Sequence, residues 1–229
     1  MTCAQLTRLY LERIAAYSMQ GPALHAIITG NPKAMETAAD MDRSYRADSA
    51  TVGLLHCIPT ILKDNFNTFD MPTTGGNIGM KTSVPPADAF TVAKIRKAGA
   101  LILAKANLQE FARGGMSISS LGGQVRNPYD LSRTPGGSSG GTGAAIAANF
   151  AVLGTGSDTG QSVRSPASAS YSPKGVLQSP IFYLLLMATK SYARCHTSIR
   201  SPPSTMSHRF SCSHGGAAAV TPSPTSRTD

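Results

Sequence analysis

Two glycine- and serine-rich segments lie in the middle of the chain, TPGGSSGGTG (134–143) and GSDTGQSVR (156–164). Such a segment is a flexible linker, a phosphate cradle, or a loop whose backbone must come close to a reacting group. The linker reading is weak, because helix-like and strand-like patterns flank both segments. A phosphate cradle requires G-x-x-x-x-G-K-[ST], or G-x-G-x-x-G between a strand and a helix. No lysine follows these glycines, and no acidic residue stands where a ribose would need one. The third reading survives.

The residues around these segments carry a resemblance. GGSSGGTGAAIA followed by GTGSDTGQSVRSPAS resembles the defining segment of the amidase signature family. HCIPTILKDN resembles that family's lysine strand, and GGQVRNPYDLSRTPGGSSGG resembles its lead-in. The match runs from the N-terminal helix to about Ala169, with the three motifs in the family's order and at compatible spacing. It implies an α/β fold class, the N-terminal part of the amidase signature fold, with a mixed central sheet flanked by helices. It also implies roles. Ser162 matches the nucleophile, and Ser138, 24 residues earlier, matches a serine preceded by a cis peptide that relays the proton. Lys63 matches the base and Ser139 a supporting serine, while the backbone N–H groups of Thr159, Gly160, Gln161 and Ser162 fall where the family has its oxyanion hole. The partner implied is a small-molecule amide, with no cofactor and no metal. Family members often have Gly where Cys57 and Gln161 stand. Gln161 suits an oxyanion hole made of backbone groups, and its side chain is expected to reshape the acyl pocket.

The implied chemistry is sound from first principles. A serine hydroxyl is a poor nucleophile until a base takes its proton. A lysine serves as that base only when neutral, so its pKa must fall well below the usual ~10.4, which burial brings about. Lys63 follows an apolar strand, where burial is expected. Without the serine motifs it would read as a solvated end charge. Asp158 reads as a turn residue, Arg164 as the partner of a carboxylate, and Asp64 as a group that orders the lysine strand.

The elements that must hold these residues follow from periodicity. Thr2 caps a helix that runs to about Tyr17, with apolar Leu6, Tyr10, Ile14 and Tyr17 at helical spacing. A second helix is predicted over Pro32–Arg46, with proline as its first residue. A short buried strand covers Ile58–Leu62, and an amphipathic helix covers 90–98. GALILAKAN (99–107) begins with the continuous apolar run of a strand buried on both faces. An alanine-rich helix over 143–149 and a strand over Ala151–Leu153 complete the pattern. Helix and strand in alternation argue for α/β layers.

Composition narrows the function classes. The chain has 229 residues, 41% apolar and 14% charged, so it is not disordered throughout. The net charge of +9 invites a nucleic-acid reading. Yet residues 1–164 hold 15 basic and 11 acidic residues, and 165–229 hold 6 and 1, so over half the excess lies in the last stretch. There it is scattered among Ser, Thr and Pro without interleaved aromatics. That is a basic tail, and no nucleic-acid partner is expected. The longest apolar run, 181–188, is too short to span a bilayer. With no leader-like start and no dense cysteine framework, Cys3, Cys57, Cys195 and Cys212 are expected as free thiols in the cytoplasm. Cys195, His196, His208, Cys212 and His214 are zinc-ligand types, but their spacing matches no common zinc pattern.

Two segments are therefore expected, an incomplete amidase signature core over 1–169 and a divergent, disordered Ser/Pro/Arg-rich tail over 170–229. The abrupt change at a motif boundary suggests that the tail stems from a shifted reading frame, a retained intron or a truncated gene. Three functions compete: an amidase, an amidotransferase A-type subunit, and an inactive truncated amidase fragment.

Overall fold

In the computed structural model, the structure describes residues 1–170 and the backbone strand Tyr183–Leu186. All of these fall within one compact unit, Met1–Ser191. Helix α1 (Cys3–Tyr17) starts as the sequence predicts. The Thr2 hydroxyl accepts from the N–H of Gln5 at 3.1 Å, and the Gln5 side chain accepts from the N–H of Thr2 at 2.9 Å. That reciprocal cap satisfies two otherwise orphaned donors. Helix α2 (Ala34–Ala47) lies against α1, and Asp42 on it accepts from the N–H groups of Cys3 and Ala4 at 2.7 and 3.0 Å. The helix begins two residues later than predicted. Asn31 folds back on the backbone, its side-chain oxygen accepting from the Lys33 N–H at 2.9 Å, and this turn takes up Pro32.

The sheet has the order β1 (Ile27–Gly30), β3 (Leu101–Ala106), β2 (Pro59–Lys63), β6 (Leu153–Gly156), β7 (Tyr183–Leu186). Strand β1 runs antiparallel to β3, and the other pairings are parallel, which makes the sheet mixed as expected. Every residue of β2 and β3 is buried. This is why LILAKA reads as a continuous apolar run broken only by Lys105. One core cluster joins β2 and β3 to α1, α2 and α4 (Gly140–Ala147). A second packs Leu62 and Ile102 against Val92 and Ile95 of α3 (Phe90–Lys97). The described part also holds a two-stranded ribbon, β4 (Ile118–Ser119) with β5 (Gly123–Gln124), and a short helix α5 (Arg164–Ala169).

Two boundaries differ from the sequence expectation for one reason. Helix α4 starts at Gly140, three residues before the predicted start, and β6 extends to Gly156, three residues past its predicted end. Glycine pairs look like loop. Here they permit close approach instead. A Cβ on Gly141 would lie 2.0 Å from the Asn107 carbonyl oxygen, and one on Gly154 would lie 2.5 Å from the Thr142 methyl.

The cysteine expectation is corrected. Cys3 and Cys57 form a disulfide with their Cα atoms 5.7 Å apart, although 54 residues separate them in sequence. The start of α1 and the turn before β2 meet in space, which spacing alone does not reveal. Cys57 has φ +60°, a left-handed conformation that favours glycine. The disulfide removes the argument from free thiols to a reducing compartment. Among the described residues, no helix is long and apolar enough to cross a membrane. The apolar run 181–188 supplies β7, and the rest of the predicted tail, with Cys195, His196, His208, Cys212 and His214, lies outside the described residues.

Candidate active site

Strands β2 and β6 are parallel neighbours, with Ile61 opposite Gly154, so their carboxyl ends open on the same edge of the sheet. Lys63 ends β2, and the segment 157–163 leaves β6 beside it. Such an edge is where open α/β sheets ordinarily place ligands. The Lys63 backbone N–H donates to Thr155 Oγ1 at 3.0 Å, which locks the two strand ends together.

Lys63 is fully buried. Its Nζ lies 2.7 Å from Ser138 Oγ, 2.8 Å from Ser157 Oγ and 3.4 Å from the Ser157 carbonyl oxygen. Burial pushes its pKa from 10.5 down to about 7, against the opposing pull of the Asp158 charge. No carboxylate pairs with this amine among the described residues. An uncharged amine this close to a hydroxyl can take its proton.

Ser138 sits at the entrance to α4, fully buried, after a cis Gly137–Ser138 peptide. The segment that carries it is braced from outside. Ser138 O accepts from the Gln109 N–H at 2.9 Å. The Ser117 hydroxyl donates to Gly136 O at 2.7 Å and accepts from the Gly140 N–H at 3.1 Å. Gly136 has φ +78°, and a Cβ there would come within 2.6 Å of Ser165 Oγ, so glycine is required on both counts. Ser139 is buried next to it, and its N–H donates to the Ser162 carbonyl at 3.0 Å while its hydroxyl reaches Ser157 O at 3.5 Å.

Ser162 is half-buried on the loop that follows β6. Among the described residues, its hydroxyl makes no hydrogen bond, so Lys63 and Ser138 are joined while Ser162 and Ser138 are not. Thr159, Gly160 and Gln161 are exposed. None of the N–H groups of 159–162 donates to an acceptor among the described residues, leaving four neighbouring donors for a ligand. Asp158 closes this loop on itself. Its carboxylate accepts from the Val163 N–H at 3.1 Å and from Arg164 Nε at 3.1 Å. Burial raises the Asp158 pKa, but the Arg164 and backbone hydrogen bonds outweigh it and hold the group below its ordinary value.

Asp64, next to Lys63, is also fully buried and lies 2.9 Å from Lys105 Nζ of β3. Lys105 further donates to Pro72 O at 3.1 Å and Thr73 Oγ1 at 2.9 Å, and Asp64 accepts from the Thr74 N–H at 3.2 Å. The pair ties the end of the lysine strand to the loop that follows it. Sequence reasoning missed three residues here: Ser157, Ser117 and Asn65. The first two read as loop serines, and Asn65, whose side chain donates to Ser157 Oγ at 2.9 Å, is only the last residue of the motif HCIPTILKDN. The available signal was that Ser157 lies within the same motif as Ser162.

The profile of the Amidase family matches residues 5–171, well over half the chain and every residue of this site. The chain belongs to the amidase family. It is similar to the glutamyl-tRNA(Gln) amidotransferase A subunit of Acidothermus cellulolyticus, 45% identical over 170 residues, covering 74% of this chain and 33% of that protein. The corresponding protein of Azoarcus sp. is 45% identical over 168 residues, covering 73% and 34%. Among solved structures, the native peptide amidase of Stenotrophomonas maltophilia superposes with a TM-score of 0.70 at 43% identity, over 74% of this chain and 36% of that one. The glutamyl-tRNA(Gln) amidotransferase A subunit of Thermotoga maritima gives 0.60 at 35% identity, over 73% and 34%. The chain thus spans about a third of the length of the relatives it matches. Within this amidase-family segment lie both strand ends, the braced Ser138 and the loop bearing Ser162.

Proposed function

We propose that this chain carries the nucleophile and base of an amidase, which hydrolyses a carboxamide to carboxylate plus ammonia or amine through an acyl-enzyme on Ser162. The observation that carries the reading is a fully buried Lys63 amine, with its pKa lowered to about 7, at 2.7 Å from the Ser138 hydroxyl. In this reading the neutral Lys63 takes the Ser138 proton as Ser138 takes that of Ser162, and Ser162 Oγ attacks the amide carbonyl. The N–H groups of Thr159, Gly160, Gln161 and Ser162 receive the developing oxyanion; each such donor is worth about 2.7–4 kcal/mol where measured by removal. The proton returns through Ser138 to the departing amine, and water then cleaves the ester by the same relay. Ser139 supports the arrangement by holding the Ser162 carbonyl at 3.0 Å.

Hydroxylamine trapping tests this. With a panel of small carboxamides, the chain should release ammonia and, with hydroxylamine present, form the hydroxamate; Ser162→Ala should form neither. Hydroxamate formation that survives Ser162→Ala rejects the acyl-enzyme. A second reading, a component of an amidotransferase that passes the released ammonia to a partner protein, is favoured by the 45% identity to relatives of that name. It predicts that glutamine is the preferred amide of the panel.

A further inference from the structure

The contacts around the Lys63 amine can be counted as protons. A neutral amine has two N–H donors and one lone pair, whereas an ammonium has three donors and no lone pair. Three oxygens surround Nζ: Ser138 Oγ at 2.7 Å, Ser157 Oγ at 2.8 Å and Ser157 O at 3.4 Å. Two of the three therefore belong to one residue. The Ser157 carbonyl can only accept. The Ser157 hydroxyl already accepts from Asn65 Nδ2 at 2.9 Å, which fixes it in place beside the amine.

We infer that Ser157, held by Asn65, is a positioning residue for Lys63: its carbonyl and hydroxyl take both N–H groups of the neutral amine, so the lone pair is left facing Ser138. This rests on the acyl-enzyme reading above and says how that relay is aimed. When the relay runs, the Ser138 O–H bond breaks and a third N–H bond forms on Nζ. The resulting ammonium donates to the same three oxygens without any side chain moving. The geometry arises from the sheet itself, since Ser157 is the first residue beyond β6 and Lys63 the last of its parallel neighbour β2. Free rotation about the last bonds of a lysine would otherwise spread the lone pair over several directions, and misaiming of this kind is costly to transfer steps.

The test uses the full chain and a fluorophosphonate probe, with the rate of Ser162 phosphonylation followed against pH and the thermal midpoint measured beside it. Ser157→Ala should lose on the order of 10- to 100-fold in rate, less than removal of the base itself, and should displace the midpoint of the pH profile. Ser157→Thr, which keeps the hydroxyl, should recover most of the rate and the parent profile. Asn65 is exposed, so Asn65→Ala keeps the fold and should lower the rate in the same direction by a smaller factor. The parent rate and pH profile in Ser157→Ala, or in Asn65→Ala should Ser157→Ala unfold, would overturn the inference. Absence of labelling in the parent chain, or labelling that persists in Ser162→Ala, overturns the acyl-enzyme reading and this inference with it.

Discussion

Replacing Lys63 by methionine is expected to make the protein more stable at mildly acidic pH while removing the proposed base. Lys63 is fully buried, and its pKa falls from 10.5 to about 7 because burial disfavours the ammonium. The unfolded chain therefore holds this proton up to about pH 10.5, and the folded chain releases it above about pH 7. Between those values the unfolded state binds more protons, so the contribution of this position to stability rises with pH. Below the window the whole cost of the buried charge is present, about 5 kcal/mol at roughly 1.4 kcal/mol per pKa unit. Methionine fills a similar volume without a charge, but leaves the Ser138 hydroxyl without its Lys63 partner and the Ser157 hydroxyl with Asn65 alone, at a cost of about 1–3 kcal/mol in all. Lys63→Met should thus gain on the order of 2–4 kcal/mol near pH 6, and the gain should shrink as pH rises towards 10. Urea denaturation followed by circular dichroism, on parent and variant at several pH values, measures both quantities. Lys105 is a second buried lysine whose pKa burial lowers, and its titration cancels in the difference between the two proteins. A variant less stable than the parent near pH 6, or one with the parent's pH slope, would refute the reasoning.

Other consequences follow from packing and covalent geometry. Reducing the Cys3–Cys57 bond, or replacing Cys3 by serine, frees a loop of 54 residues' separation. It should cost about 4 kcal/mol by loop-closure entropy, read as a lower urea midpoint, and peptide mapping after alkylation should find Cys3 and Cys57 labelled only on reduction. Gly141→Ala drives a Cβ to 2.0 Å from the Asn107 carbonyl and should cost upwards of about 3 kcal/mol or abolish folding. Gly160→Ala meets nothing within 4 Å and should leave the urea midpoint unchanged. Asp64→Asn leaves Lys105 without its ion-pair partner in a fully buried setting and should destabilise by about 3–5 kcal/mol, whereas restoring neutrality with Asp64→Asn plus Lys105→Met should recover part of the loss.

What could be read from the sequence divides along physical lines. Features set by local chemistry were legible: the Thr2 cap, the length of α1, and the two-sided burial of LILAKA. The meeting of Lys63 with Ser138, and of Ser139 with Ser162, was legible because these residues sit in motifs with fixed order. Features set by proximity across the fold were not. Glycine at 140, 141 and 154 looks the same whether it loosens a loop or lets a helix touch a strand, and only the atoms of Asn107, Ser117 and Thr142 decide between them. Cys3 and Cys57 meet because α1 crosses the turn before β2, a matter of packing that spacing cannot encode. Ser157 is 94 residues from Lys63, and its place beside the amine depends on the parallel pairing of β2 with β6.

The central claim is that a neutral, buried Lys63 activates Ser162 through Ser138. Its most direct measurement is the pH dependence of fluorophosphonate labelling, with the adduct located by peptide mass spectrometry. The account predicts a single adduct on Ser162, formed at a rate that rises with pH through a midpoint near 7, and lost in Ser162→Ala and in Lys63→Met. An adduct elsewhere, or a labelling rate in Lys63→Met equal to that of the parent, would contradict it.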